Sequence, residues 1–264
     1  MENNEYNKFS MHANCTDAIG TYLERTGGVS VSHIYKKRPD TRLQIIQLAT
    51  QLFIDEGYSN TSFSKIAKTL DLSTGNITFY FKTKEHLLAV LVDELFNFQN
   101  LMMEQAADEG KSSLLAYCLE LTAMAAICEE DAAAKDFYSS AYVSDVILSL
   151  IRENDTEKTK AVFAEFCPDW TDAQWVATEN IVSGIEFATI MTKEADTPLP
   201  LQIERALNSI MLLYGVPEDL RKTKIDKVLA MDYRALGRRI LAEFKEYIEN
   251  VNEENLKNAN RGKK

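Results

Sequence analysis

The chain has 264 residues, 45% of them hydrophobic, which is ample for one large or two modest domains. A formal net charge of −11 excludes a general nucleic-acid binder, so any docking on DNA must fall to a local basic region. No apolar run approaches the ~20 residues of a bilayer span, the start lacks a signal-peptide core, and Cys15, Cys118, Cys128 and Cys167 show neither metal-type spacing nor a disulfide framework; the expectation is a cytoplasmic protein with free thiols.

Residues 1–38 read as an extension, partly mobile, with Asn3, Asn4, Asn7 and Asn14 among scattered charges. Cys15–Arg25 has the makings of a short helix closed by Gly27 and Gly28, and Lys36, Lys37 and Arg38 stand just before Pro39. That basic triplet suits either a solvated linker or an arm reaching phosphates or a minor groove.

From Thr41 the pattern becomes specific. Ile45, Ile46, Ala49, Leu52 and Phe53 share one helix face, and Gly57 supplies a left-handed stop. A second, short helix turns Phe63, Ile66, Ala67 and Leu70 inward, with Ser62 placed to cap it. Asp71-Leu72-Ser73 then makes a tight turn into a third helix, Thr74 to about Phe81. This is the layout of a unit that reads the DNA major groove. With Ile77 and Phe81 inward, the ~100° step of a helix turns Gly75 and Phe79 outward, flanked by Asn76 and Thr78. Phe79 has no core to join there, and Gly75 lets a partner approach closely at a cost in helix stability. Ser73 caps the helix, and the amide end behind it favours a phosphate. Thr74 and Asn76 carry short polar side chains suited to base edges, while Lys82 and Lys84 follow as phosphate-neutralising charges. Residues 36–86 hold eight basic against five acidic side chains, a net +3, whereas residues 87–264 carry −12. The positive charge is thus concentrated where docking is expected.

The run Ser62-x-x-x-Ile66-Ala67, followed by Ser73-x-Gly75-x-Ile77-x-x-x-Phe81-x-x-Lys84-x-x-Leu87, resembles the N-terminal domain of TetR-family transcriptional regulators. The resemblance covers residues 41–87, about a fifth of the chain. Thr78 stands where the family usually has Tyr, and Asp71 where its inter-helix turn usually has Gly; Phe79 and Tyr80 occupy positions of backbone contacts to DNA. The resemblance implies an all-α, TetR-like fold. Residues 39–86 would form a three-helix DNA-binding domain, residues 87–252 a larger helical domain for ligand binding and dimerisation, and residues 253–264 a polar tail.

Beyond the reading unit the chain predicts a succession of helices. Lys84–Asp108 carries Leu87, Leu88, Leu91, Leu95, Phe98, Leu101 and Met102 on one face, and is the natural lever between the two domains. Ser112–Glu129, Ala132–Arg152, Thr156–Phe166, Asp172–Lys193, Leu201–Tyr214 and Lys222–Val251 follow. Asp172–Lys193 is striped by Val176, Asn180, Ser183, Gly184, Phe187 and Met191, and its small residues Ala177, Ser183, Gly184 and Ala188 allow a second helix close approach. Leu201–Tyr214 is apolar around more of its circumference than one buried face requires. Two such helices per subunit suit an isologous homodimer interface, as the resemblance also implies. The last helix would shield that interface or join it.

A TetR-like arrangement would wrap Tyr117, Met124, Phe137, Tyr138, Tyr142, Trp175 and Glu186 around a ligand pocket; the alternative for the aromatics and Met124 is plain core. Glu186, if buried, would need a cation, a hydrogen-bond partner or a raised pKa. The expected protein is a homodimeric repressor that sets Thr74–Tyr80 of each subunit in the major grooves of a pseudo-palindromic double-stranded DNA operator, ~34–36 Å apart. An unknown small-molecule effector would release it by shifting the lever helix. The three histidines, His12, His33 and His86, form no HExxH pair, and neither a P-loop nor a nucleophile elbow is present, so no enzyme, metal or cofactor is expected. The alternative is a helical protein-binding adaptor that has lost operator binding, for which Thr78 is the main support.

Overall fold

The computed structural model describes residues 39–106, 113–192 and 197–261, and among these there are eleven helices and no strand. The expected helix at Cys15–Arg25 and the basic triplet Lys36–Arg38 lie outside the described residues, as does the side chain of Leu101. Helices α1 (Pro39–Asp55), α2 (Phe63–Thr69) and α3 (Thr74–Tyr80) form a small head. The body comprises α4 (Lys84–Ala106), α5 (Leu114–Glu130), α6 (Ala132–Val143), α7 (Asp145–Phe163), α8 (Asp172–Met191), α9 (Leu199–Leu213), α10 (Glu218–Leu229) and α11 (Tyr233–Arg261). No described helix is long and apolar enough to cross a membrane.

Local chemistry builds the head as the spacing predicts. Gly57 ends α1 with φ 92°, and Ser62 caps α2 by accepting from the Lys65 amide at 3.2 Å. Asp71 takes the left-handed turn at φ 52°, which a short polar side chain tolerates. Ile45, Phe53, Ile66, Ile77 and Leu87 are fully buried together.

In the body, α5 is apolar on every side, with all residues from Leu114 to Leu119 and Leu121 to Cys128 buried. Such a helix must be surrounded, and α4, α6, α8, α9, α10 and α11 pack around it. Two expected helices are divided differently. Ser144 is extended (φ −88°, ψ 117°) and breaks the expected Ala132–Arg152 helix, while α7 runs unbroken across Asn154 and Asp155 to Phe163. Neither Gly nor Pro marks that break. Along this polar run Thr156 and Thr159 donate to carbonyls one turn back, and Asn154 Nδ2 reaches Asp93 Oδ1 at 3.4 Å. The expected Lys222–Val251 helix is split at residues 230–232, where Asp232 Oδ1 accepts from the Ala235 amide at 3.0 Å and starts α11. That helix continues to Arg261, past the expected end at Val251.

The last expected helix, set either to shield a dimer interface or to join it, contains most of α11, whose contacts within the chain run elsewhere. It lies along α5 and reaches the head. Arg234 pairs with Glu129 and Glu130 at 2.7 and 2.8 Å, and Arg238 with Glu130 at 2.7 Å, countering the acidic C-terminal end of α5. Farther along, Lys245 binds Asp55 at 2.6 Å and Glu249 accepts from Gln51 Nε2 at 2.7 Å, both on α1. Phe98 of α4 packs against Phe244 and Tyr247 between these contacts.

Candidate DNA-binding head and buried acidic site

The outward face of α3 is built from its cap. Ser73 Oγ accepts from the Asn76 amide at 3.2 Å, and Asn76 Oδ1 accepts in return from the Ser73 amide at 3.3 Å and from its hydroxyl. This capping box satisfies the first turn. It also narrows what Asn76 can read. Bidentate recognition of adenine needs both amide oxygen and nitrogen; with the oxygen engaged, only the NH2 group remains to donate. Thr74, Gly75, Thr78 and Phe79 are exposed, Phe79 at 46%, while Ile77 is buried. Thr78 Oγ1 donates to the Gly75 carbonyl at 3.2 Å, and the Phe79 and Tyr80 rings meet edge-on at 5.1 Å. A Cβ added to Gly75 would meet only Ser73 Oγ, at 3.5 Å. Among the described residues nothing requires glycine at that exposed helical position.

The basic residues divide. Lys82 and Lys68 are exposed beside α3 and α2. Lys84 differs from its expected role as a phosphate contact. Its ammonium donates to the carbonyls of Tyr58 and Thr61, both at 2.9 Å, and lies 3.9 Å from the Tyr58 ring centroid. Burial lowers its pKa, partly offset by Glu85 and Asp136. Lys84 therefore ties the start of α4 to the loop between α1 and α2. Lys65 pairs with Glu56 across the same loop.

A second tie joins this loop to the body. Asp136 of α6 accepts from the Ser59 amide at 2.7 Å and the Ser59 hydroxyl at 2.6 Å. Its carboxylate fills the space where a Cβ on Gly57 would sit, 2.7 Å away. Sequence reading missed Asp136 because its partner lies 77 positions away.

Of the expected ligand-site residues, three converge. Tyr117 of α5 and Tyr142 of α6 donate to the two oxygens of Glu186, at 3.3 and 3.1 Å. Tyr138 instead receives a hydrogen bond from Gln99 Nε2 at 3.0 Å, and Met124, Phe137 and Trp175 are buried core. Beside Glu186 stand two carboxylates that the sequence reading did not single out, Asp155 and Glu179. Burial pushes Glu186 and Asp155 well above the usual carboxylate range, and mutual repulsion adds to it. Burial raises Glu179 to about 7, against the pull of Tyr214, Lys158 and Arg152. Glu179 and Glu186 are seven positions apart on one face of α8, the one signal that would have paired them.

Because Glu179 holds its proton longer in the folded chain than in the unfolded one, stability is lost as pH rises from the ordinary carboxylate range through about 7. Urea unfolding in chelating buffer is expected to show Glu179→Gln gaining on the parent protein by on the order of 2 kcal/mol between pH 5 and pH 8. A constant difference across that window would refute the assignment.

The orientation of α8 agrees with the expected one in part. Of the stripe, Val176 (50% exposed), Asn180 and Gly184 face out, Phe187 and Met191 are half-buried and Ser183 is buried, beside Trp175, Glu179, Val182 and Glu186. Ser183, expected at a helix–helix contact, accepts from Arg152 Nε at 2.9 Å. Ala177, Ile181, Gly184 and Ala188 are exposed alongside Leu201, Leu212 and Leu213 of α9. A Cβ on Gly184 would meet nothing. A groove of about 500 Å³ runs between the two helices, lined by Ile185, Ala188, Leu201 and Arg205.

Comparison with known proteins agrees with the head. Residues 45–91 match the family described as bacterial regulatory proteins, tetR family. The "Probable HTH-type transcriptional regulator YttP" of Bacillus subtilis (strain 168) is 39% identical over 67 residues, 25% of this chain and 32% of the relative. The "Fatty acid metabolism regulator protein" of the same organism is 41% identical over 59 residues, 22% of this chain and 30% of the relative. The chain thus spans about a third of the length of the curated relatives it matches. Among solved structures, a gamma-butyrolactone receptor (ArpA-like protein) aligns over 77% of this chain and 97% of its own, at 20% identity and a TM-score of 0.39. Residues 45–91 carry the N-terminal domain of the tetR family of bacterial regulatory proteins.

Proposed function

We propose that the protein is a sequence-specific transcriptional regulator, a homodimeric repressor released from a pseudo-palindromic operator by a small-molecule effector. The observation that carries this reading is the exposed face of α3. An aromatic ring and a glycine that no neighbour requires stand beside a capped helix start, on a domain of the tetR family. Regulatory function is also what the names of the B. subtilis relatives state for those proteins. The second subunit is supported by α8 and α9, whose outward sides are apolar and small while a buried acidic face turns inward. Leu and Ile side chains exposed to this degree suit burial against a copy of the same surface.

Salt dependence of operator affinity tests the head. Lys82→Met is expected to reduce the slope of log K against log salt by about one, as for a lost phosphate contact. Lys84→Met is expected to leave the slope unchanged and instead cost ~1–3 kcal/mol of stability, since two carbonyls lose a charged donor. The reverse pattern would return Lys84 to the DNA.

The signal from body to head has a second route besides α4. Helix α6 carries both Tyr142, bound to Glu186, and Asp136, bound to Ser59. A ligand that moves the Glu186 carboxylate therefore acts on the loop preceding α2 through one short helix. Asp136→Ala is expected to cost ~1–2 kcal/mol and to speed amide hydrogen exchange at Ser59 while α3 is unchanged. Unaltered exchange at Ser59 would remove α6 from the route.

A further inference from the structure

Three acids of the body converge on one place. Asp155 on α7 and Glu179 and Glu186 on α8 each bring one oxygen within 4.8 Å of the other two. Glu179 is 1% exposed; its Oε2 accepts from the Tyr214 hydroxyl at 3.0 Å, and its enclosed Oε1 has no donor. Leaving a buried carboxylate oxygen unpartnered among like charges is costly. Nearby cations do not make up the difference. Lys158 is committed to Glu120, and Arg152 donates its Nε–H to Ser183.

We propose that Asp155, Glu179 and Glu186 form a binding site for a hard divalent cation of Ca2+ or Mn2+ size. All three donors are oxygens, and among the described residues no Cys or His joins them, which suits a hard ion over zinc or copper. Oxygens on opposite sides of an ion with bonds of ~2.3–2.6 Å lie ~4.6–5.2 Å apart. The three oxygens lie within 4.8 Å of one another, close enough for one such ion to reach all of them. Tyr117, Tyr142 and Tyr214 hold the carboxylates in place through their hydroxyls, as supporting residues do around metal ligands. Burial raises the affinity of these acids for protons, so the cation displaces protons as it binds. The binding stands on this geometry alone; that the cation acts as an effector rests on the regulatory reading above, through Tyr142 and α6.

The test uses the full chain, freed of metal by a chelator and then dialysed, and titrated with Mn2+ alone while free Mn2+ is read by electron paramagnetic resonance. One Mn2+ per chain is expected, displaced by Ca2+, with protons released on binding and a rise in melting temperature. Glu179→Gln and Glu186→Gln are each expected to weaken uptake at least tenfold, with the helical circular-dichroism spectrum unchanged. Should either variant fail to fold, Asp155→Asn serves the same comparison. Uptake below one ion per chain, or uptake equal in the parent and the folded variants, overturns the site. Operator affinity is measured separately with and without Mn2+. Stoichiometric binding that leaves it unchanged upholds the site and overturns its regulatory role, and a protein that binds no DNA at all leaves the Mn2+ result standing by itself.

Discussion

Gly237→Ala is expected to destabilise the protein by ~2–3 kcal/mol, against the direction that helix propensity alone dictates. Gly237 lies in α11 where that helix crosses α5. An added Cβ would sit 2.6 Å from the Ala123 carbonyl oxygen and 3.3 Å from Ile127 Cβ. The obstacle is backbone on the central helix, which is packed on every side and has nowhere to move. Relief requires α11 to back away. That shift would strain Arg234 and Arg238 at one end and the Lys245–Asp55 and Gln51–Glu249 contacts at the other. Urea unfolding measures the loss. A variant as stable as the parent protein, or more so, would show that α11 does not pack at this distance.

Gly75→Ala is expected to separate stability from DNA binding. In the exposed first turn of α3, alanine is the better helix former by ~0.5–1 kcal/mol, and its methyl group has room. The melting temperature should therefore rise. Operator affinity should fall at least tenfold, because the methyl group occupies the space through which a DNA backbone or base edge approaches the helix. Both quantities are measured on one preparation, by thermal unfolding and by fluorescence anisotropy with a labelled duplex. An increase in stability with undiminished affinity would mean that this face does not meet DNA. Gly237 and Gly75 are thus opposites: packing against α5 excludes a side chain at Gly237, whereas at Gly75 only the proposed DNA contact would.

What the sequence made legible was local. Caps at Ser62 and Ser73, the stop at Gly57 and the inward spacing of Ile66, Ile77 and Phe81 are chemistry within one turn, and the head follows them. Even here a local reading fell short at Asn76, whose oxygen closes the capping box and whose readout is narrowed accordingly. Lys84 looked like a surface cation because its two carbonyl partners lie 23 and 26 positions away. Asp232 is a cap that sequence carries openly, whereas the break at Ser144 is marked by neither Gly nor Pro. On α8 the usual rule of apolar in and charged out points the wrong way. The helix turns Glu179 and Glu186 inward and Val176 and Ile181 outward, as suits a helix with a partner on one side and a polar site on the other. Amphipathic periodicity identifies the two faces; it does not say which is buried.

Selection of bound fragments from a random-duplex library by the full-length protein tests the central claim most directly. The expected result is an enriched pseudo-palindrome whose half-sites lie about one helical turn apart or a multiple of it, as two heads on one dimer require. Enrichment should collapse with Gly75→Ala and weaken evenly across sequences with Lys82→Met. A library that yields no motif even at low salt, where phosphate contacts are strongest, would contradict the account and leave the exposed face of α3 to a protein partner.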